Sequence, residues 1–176
     1  MNGRFDQMKI LLSLILTSIL LSFVTMTASA VVGKPFVIVN KATNKVAFID
    51  DNKVQNVYPA GTGRSNELTP EGLFTVKVKA VNPYFRKKNI PGGDPRNPLG
   101  TRWIGFDALG TDGRIYGLHG TNNQASVGRY ISNGCVRLRK VDIESLYERV
   151  PIGTKVFITH SPKDFATLAK EQGFMK

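Results

Sequence analysis

The chain has a single cysteine, a single tryptophan, two histidines and few acids: 13 Asp and Glu stand against 24 Lys and Arg in 176 residues. One thiol cannot close an internal disulfide, so the fold must be held by its core and its hydrogen bonds. One Cys and two His, well separated in sequence, are too few for the three or four ligands of a zinc site, and no metal is expected. Helical periodicity is scarce, and there is no internal repeat or low-complexity tract. The length suits one domain with little left for a second. The shortage of acid leaves a formal net charge of +11, which attracts polyanions through a field that salt weakens.

Only one long apolar run is present. Arg4 and Lys9 accompany residues 10–26, "ILLSLILTSILLSFVTM", and "TASA" follows, with Ala28 and Ala30 in the small-x-small pattern a signal peptidase accepts. Residues 1–30 are therefore expected to be an export signal cleaved after Ala30. An uncleaved N-terminal anchor is the alternative, since about 17 apolar residues is the lower limit for a bilayer span. No cysteine stands near the cleavage point, which excludes lipid attachment there. Loss of Arg4, Asp6 and Lys9 takes the net charge to +10. Outside the cell no nucleic acid partner is expected; anionic wall polymers or lipid head groups fit the charge, and solubility alone also accounts for it. Fewer than six residues separate Ala30 from the first expected strand, so no wall-binding module is expected ahead of the domain.

The remainder reads as mostly β. "FVIVN" (36–40), "KVAFID" (45–50), "KVQNVYPAGT" (53–62), "GLFTVKVKAV" (72–81), "TRWIGFDAL" (101–109), "RIYGLHG" (114–120) and "TKVFITH" (154–160) are β-branched or aromatic runs divided by polar, Gly-rich turns. Short strands at this spacing predict an antiparallel sandwich or barrel with one or two short helices. "DIESLYERV" (142–150) has helical spacing with Asp142 as the expected N-cap. Ser161 as cap and Pro162 at the first helical position predict a C-terminal helical tail over 161–176, resting on the body or trailing from it. Residues 82–100, "NPYFRKKNIPGGDPRNPLG", have no period; a loop this long is functional or disordered, and Tyr84, Phe85 and Ile90 favour one that rests on something.

The lone Cys135 has two readings. A solitary cysteine serves commonly as a small buried apolar residue. Here it follows Gly134 in "SNGCVR", where backbone N–H groups can approach an atom beside the sulfur, as an oxyanion hole requires. His119 stands 16 residues upstream at the end of an expected strand and can serve as the base a thiol nucleophile needs, if the Gly-rich segment between them turns back. His160 ends the last expected strand and reads as ordinary surface or strand-end packing.

The stretch "HGTNNQASVGRYISNGCVRL" (119–138) resembles the active-site signature of L,D-transpeptidases with a YkuD-type catalytic domain: His-Gly, a spacer, then Ser/Thr-x-Gly-Cys, an aliphatic residue and Arg. "VYPAGTGRSNELTPEGLFTV" (57–76) resembles the family's glycine-rich strand and T-P-x-G-x-F/Y segment, and "GGDPRNPLGTRWIGF" (92–106) resembles the stretch before the catalytic His in Bacillus-type members. The resemblance spans roughly residues 36–160 and implies a catalytic domain over 31–160 with a β-sandwich or barrel-like fold. Many members carry His directly before Gly-Cys, where this chain has Asn133; the resemblance gives the base role to the upstream His and tolerates the change.

What the resemblance implies is an exported enzyme of the cell wall that needs no cofactor. Cys135 would attack a peptidoglycan tetrapeptide stem at the bond between its diamino acid and terminal D-Ala. His119 would move the proton, and the Gly120 carbonyl would orient the imidazole. Backbone N–H groups from Asn133 through Gly134 to Cys135 would hold the oxyanion, and an amine of a second stem would complete a 3→3 cross-link. Water as acceptor would make the protein an L,D-carboxypeptidase. A basic wall-binding protein with an inert cysteine is the non-enzymatic alternative. Carbapenems are the implied covalent inhibitors. Arg137 has two readings, a bidentate grip on a stem carboxylate or a structural ion pair. Ser132 bonds within the active-site turn or is a plain turn residue. Trp103 and Tyr116 line a substrate groove or pack in the core.

Overall fold

In the computed structural model, which describes residues 33–176, strand β1 (Phe36–Asn40) is buried along its whole length. The expected export signal, residues 1–30, lies outside the described residues. A strand that is apolar at every position needs cover on both faces, and β1 has it. Val37 and Val39 join the main core, while Phe36 and Ile38 lie under Leu168, Ala169 and Phe174 of the C-terminal segment.

The other strands are β2 (Lys45–Asp50), β3 (Lys53–Pro59), β4 (Thr62–Gly63), β5 (Gly72–Val81), β6 (Arg102–Phe106), β7 (Tyr116–His119), β8 (Tyr130–Ser132), β9 (Val136–Arg137) and β10 (Lys155–Thr159). Seven of them join β1 in one sheet in the order β3-β2-β1-β10-β5-β6-β7-β9, and β4 pairs with β8. Among the described residues the architecture is mostly β, a curled sheet with two α-helices. The expected all-antiparallel pattern is corrected at β1–β10, β7–β9 and β4–β8, which run parallel. The long β5 makes the curl: residues 72–75 pair with β10, residues 76–81 pair with β6, and the register shifts between Val76 and Val78. A bulge of this kind bends a strand and increases its twist, so one strand serves both halves of the sheet.

Helix Lys140–Arg149 fills the hollow of the curl with Ile143 and Leu146, and Val150 follows just beyond its end. It begins two residues before the expected Asp142 cap. Arg139 occupies the N-cap position, and Asp142 lies in the first turn, where its carboxylate accepts from Arg139 Nε at 2.6 Å and meets the positive end of the helix. The tail also starts later than expected: Asp164, not Ser161, caps helix Phe165–Glu171, accepting from the Thr167 N–H at 2.8 Å. Asp164 does what a cap must, supplying an acceptor to an otherwise unpaired N–H. The tail rests on the sheet, with the Phe174 ring stacked on Phe36 at 3.8 Å. Among the described residues no helix is long and apolar enough to cross a membrane.

Candidate active site

Strand register decides which side chains share a face. Leu118 of β7 pairs with Val136 of β9, and both are fully buried in the core. Side chains alternate across a sheet, so His119 and Arg137, paired one step along, lie on the opposite face, and Cys135 stands on that face two residues before Arg137. On the neighbouring strand Trp103 is in register with His119, and its indole stacks on the imidazole with centroids 5.6 Å apart and planes 18° from parallel. The indole finds its place because Gly117 has no side chain; a Cβ there would lie 2.7 Å from Trp103 Cζ2. Trp103 Nε1 donates to the Gly113 carbonyl at 2.9 Å.

The tautomer of His119 follows from its partner. Nδ1 lies 2.5 Å from the Gly120 carbonyl oxygen, which can only accept, so Nδ1 carries the proton and Nε2 keeps its lone pair. The ring is 4% exposed. Burial pushes its pKa down to about 4; bonding to the Gly120 and Leu99 carbonyls resists this, and the nearby Arg137 charge adds to it. His119 is therefore neutral at neutral pH and available as a base.

Cys135 is half-buried and free. Burial pushes its thiol up to about 11, against a Gly117 N–H bond and the Arg137 charge, both of which favour the thiolate. Sγ donates to the Ile115 carbonyl at 3.4 Å. Both groups are thus neutral at neutral pH.

The turn before Cys135 is closely held. Gly134 has φ +129°, and a Cβ there would meet the Leu68 carbonyl oxygen at 2.4 Å, so glycine is required on both counts. Ser132 Oγ accepts from the Gly134 N–H at 3.0 Å and donates to the Cys135 carbonyl at 2.6 Å. The Gly134 carbonyl accepts from Thr69 Oγ1 at 3.0 Å. Of the three N–H groups expected around an oxyanion, that of Gly134 is thus occupied by Ser132. The Cys135 N–H meets no backbone or side-chain acceptor among the described residues. Asn133 is exposed.

A cavity of about 480 Å³ opens beside Cys135. Val78, Ala80 and Trp103 come to it from the sheet, and Pro83, Tyr84 and Phe85 come from the long loop. Arg86, Lys87 and Arg114 add positive charge to its lining. The loop is folded rather than loose: buried Asn97 donates to the carbonyls of Pro83 at 2.8 Å and Pro91 at 3.1 Å, and Leu99 N–H returns to its Oδ1 at 2.9 Å.

Trp103 combines both of its sequence readings, being 7% exposed and yet part of the cavity wall. Tyr116 belongs elsewhere: it lies on the opposite face of β7 from His119, packs against the core and stands beside Gly134. Arg137 forms no ion pair among the described residues, and its buried Nε has no hydrogen-bond partner. His160 stands at the end of β10 with its N–H on the Glu71 carboxylate, 3.2 Å away. Among the described residues no group of three His, Cys, Asp or Glu is placed to hold a metal. Sequence reasoning missed Thr69, although the T-P-E-G block containing it was visible, and it missed Gly100, whose Cα lies against Gly120 where a Cβ would come within 2.8 Å of that backbone.

A family model described as the L,D-transpeptidase catalytic domain (YkuD) matches residues 34–158. The L,D-transpeptidase-family protein YqjB of Bacillus subtilis (strain 168) is 58% identical over 139 residues, which make up 79% of each chain. ErfK/SrfK of Escherichia coli (strain K12) is 32% identical over 149 residues, 74% of this chain and 46% of its own. Among solved structures, the Ldtfm–avibactam carbamoyl enzyme superposes with a TM-score of 0.58 at 22% identity, covering 72% of this chain and 49% of the other. L,D-transpeptidase 3 of Mycobacterium tuberculosis, in complex with a faropenem-derived adduct, superposes with a TM-score of 0.55 at 22% identity, covering 72% and 60%. At such identities the superpositions speak for the fold alone. The chain spans most of YqjB but about half the length of ErfK/SrfK and of the Ldtfm chain.

Proposed function

Because the chain belongs to the L,D-transpeptidase family with a YkuD-type catalytic domain, we propose that it cross-links peptidoglycan stem peptides 3→3 by cysteine acyl transfer at the outer face of the membrane. The observation that carries this reading is the neutral His119, its Nδ1 committed to the Gly120 carbonyl, on the same face as a thiol too weakly acidic to ionise unaided.

The Cys135 sulfur bonds to the carbonyl carbon of the diamino acid while its proton passes to Nε2 of His119. The carbonyl π pair moves onto oxygen, where the Cys135 N–H is the available donor. Collapse re-forms the carbonyl and breaks the C–N bond, and the imidazolium proton leaves with the D-Ala amine. The side-chain amine of a second stem then attacks the thioester and gives a proton to His119; the amide forms and the thiol regains its proton. No cofactor enters any step. The cavity offers apolar walls for a peptide backbone and cations for stem carboxylates, and Arg137 supplies a further guanidinium beside the reacting groups. The same nucleophile makes carbapenems expected acylating inhibitors, and a structural relative has been solved in complex with an adduct derived from another β-lactam, faropenem. The positive charge suits retention near anionic wall polymers.

The test is mass spectrometry of the protein incubated with a disaccharide-tetrapeptide, beside Cys135→Ala. A dimer formed with loss of D-Ala, absent in the variant, is expected. Tripeptide alone would make the protein an L,D-carboxypeptidase, and no turnover with an unmodified thiol would leave a wall-binding protein.

A further inference from the structure

Lys41 is a lysine with almost no access to water, 2% exposed, directly after β1. Its ammonium has three protons to donate, and all three have partners: the Asn66 carbonyl at 2.6 Å, the Thr69 carbonyl at 3.0 Å and the Glu71 carboxylate at 2.9 Å. Removing an ammonium from water is costly unless it is fully bonded, so this arrangement is built rather than incidental. What it secures is the 63–71 turn, gathered from the inside at three points.

The turn in turn holds the nucleophile. Thr69 is fully buried, and its hydroxyl accepts from the Gly63 N–H at 2.9 Å and donates to the Gly134 carbonyl at 3.0 Å. Ser132 takes the Gly134 N–H and the Cys135 carbonyl. Three of the four backbone polar groups of Gly134 and Cys135 therefore have protein partners, and the one left over is the Cys135 N–H. In a trans peptide the C=O and N–H point in opposite directions. Fixing the Gly134 oxygen on Thr69 thus fixes the direction of the Cys135 N–H, away from the turn.

We propose that Thr69, anchored by Lys41, is a positioning residue that aims the Cys135 N–H at the developing oxyanion. The proposal rests on the acyl-transfer reading above and adds two residues, neither of which touches substrate, that decide how well that step runs. Its signature is selective. Acylation builds charge on a carbonyl oxygen and needs the donor; alkylation of a thiol at a saturated carbon builds no oxyanion and does not.

The experiment measures two second-order rates on the full mature protein by intact mass, acylation by imipenem and alkylation by iodoacetamide, for wild type, Thr69→Val, Thr69→Ser and Lys41→Met, with melting temperatures alongside. In Thr69→Val acylation is expected to fall about 10- to 100-fold, less than the roughly 100- to 1000-fold cost of removing such a donor outright because here it is misdirected rather than lost, while alkylation and its pH profile stay within about 2-fold of wild type. Thr69→Ser keeps the hydroxyl and should restore acylation. Lys41→Met removes the anchor and is expected to repeat the selective loss of Thr69→Val. A folded Lys41→Met with wild-type acylation removes Lys41 from the proposal; if it does not fold, the two Thr69 variants still decide the positioning role. Parallel loss of both rates in Thr69→Val, or loss of neither, overturns the positioning role. A wild type that is alkylated but never acylated overturns the acyl-transfer reading itself and this proposal with it.

Discussion

The indole of Trp103 lies nearly parallel to the imidazole of His119, 18° between planes and 5.6 Å between centroids, because β6 and β7 place the two residues opposite each other in register. The stack joins the chain's one tryptophan to one of its two histidines.

Protonated imidazole accepts charge from an excited indole more readily than neutral imidazole does, so Trp103 emission should report the state of His119. A fluorescence titration is expected to show quenching as pH falls, with a midpoint near the His119 pKa of about 4 rather than its ordinary 6.5. In His119→Gln the transition should vanish. A midpoint near 6.5 would mean that the ring is solvated.

Two modifications of the same sulfur should respond differently to pH. Iodoacetamide needs the thiolate, so its rate is expected to keep climbing beyond pH 9, toward the thiol pKa of about 11, with no plateau near neutrality. In the proposed mechanism, acylation by imipenem draws on His119 as base. It should be level across the neutral range and fall only as the imidazole protonates near pH 4. A shared profile with a plateau at pH 6–7 would indicate a pre-formed thiolate–imidazolium pair.

Gly117→Ala should damage the site and spare the fold. The new methyl would lie 2.7 Å and 2.8 Å from two indole carbons and 2.9 Å from the Ile104 carbonyl oxygen, so the indole must shift off His119. Acylation is expected to drop about 10- to 100-fold, since small displacements of a catalytic group carry costs of this order. Trp103 emission should shift in the same variant.

Phe174→Ala is the converse case. The ring is 4% exposed and covers Phe36 on the outer face of β1, while His119 ends β7 and Cys135 stands just before β9. Removing a buried aromatic costs about 3–5 kcal/mol, and the melting temperature should fall by roughly 10 °C. The acylation rate below the transition should match wild type.

Arg137→Gln tests the unpaired guanidinium. With no acid partner among the described residues, its removal should leave the melting temperature within a few degrees. KM for the tetrapeptide is expected to rise about 10-fold, the loss of one charge-assisted contact, with a smaller change in kcat. A large loss of stability with KM unchanged would assign Arg137 to the fold.

Legibility followed length. The long β-branched runs around Phe36, Val46 and Phe74 announced β1, β2 and β5 because period and propensity agree over five or more residues. β8 and β9 were not visible: three and two residues carry no measurable period, and they are strands only because neighbours align them. The helix starts were misplaced because Ser161 and Asp142 are plausible caps by type, and only the local backbone shows that Asp164 and Arg139 hold those positions.

The sequence by itself determined the mostly β character, the single thiol with a glycine before it and the single histidine upstream of it, because each of these is a property of residue type and short-range order. Tertiary structure alone decided the rest. Insertion of β10 between β1 and β5, the stacking of Trp103 on His119, the bond from Thr69 to Gly134 and the displacement of both pKa values come from groups distant in the chain brought together out of water. Burial and long-range contact are set by the whole fold, and no local stretch of residues contains them.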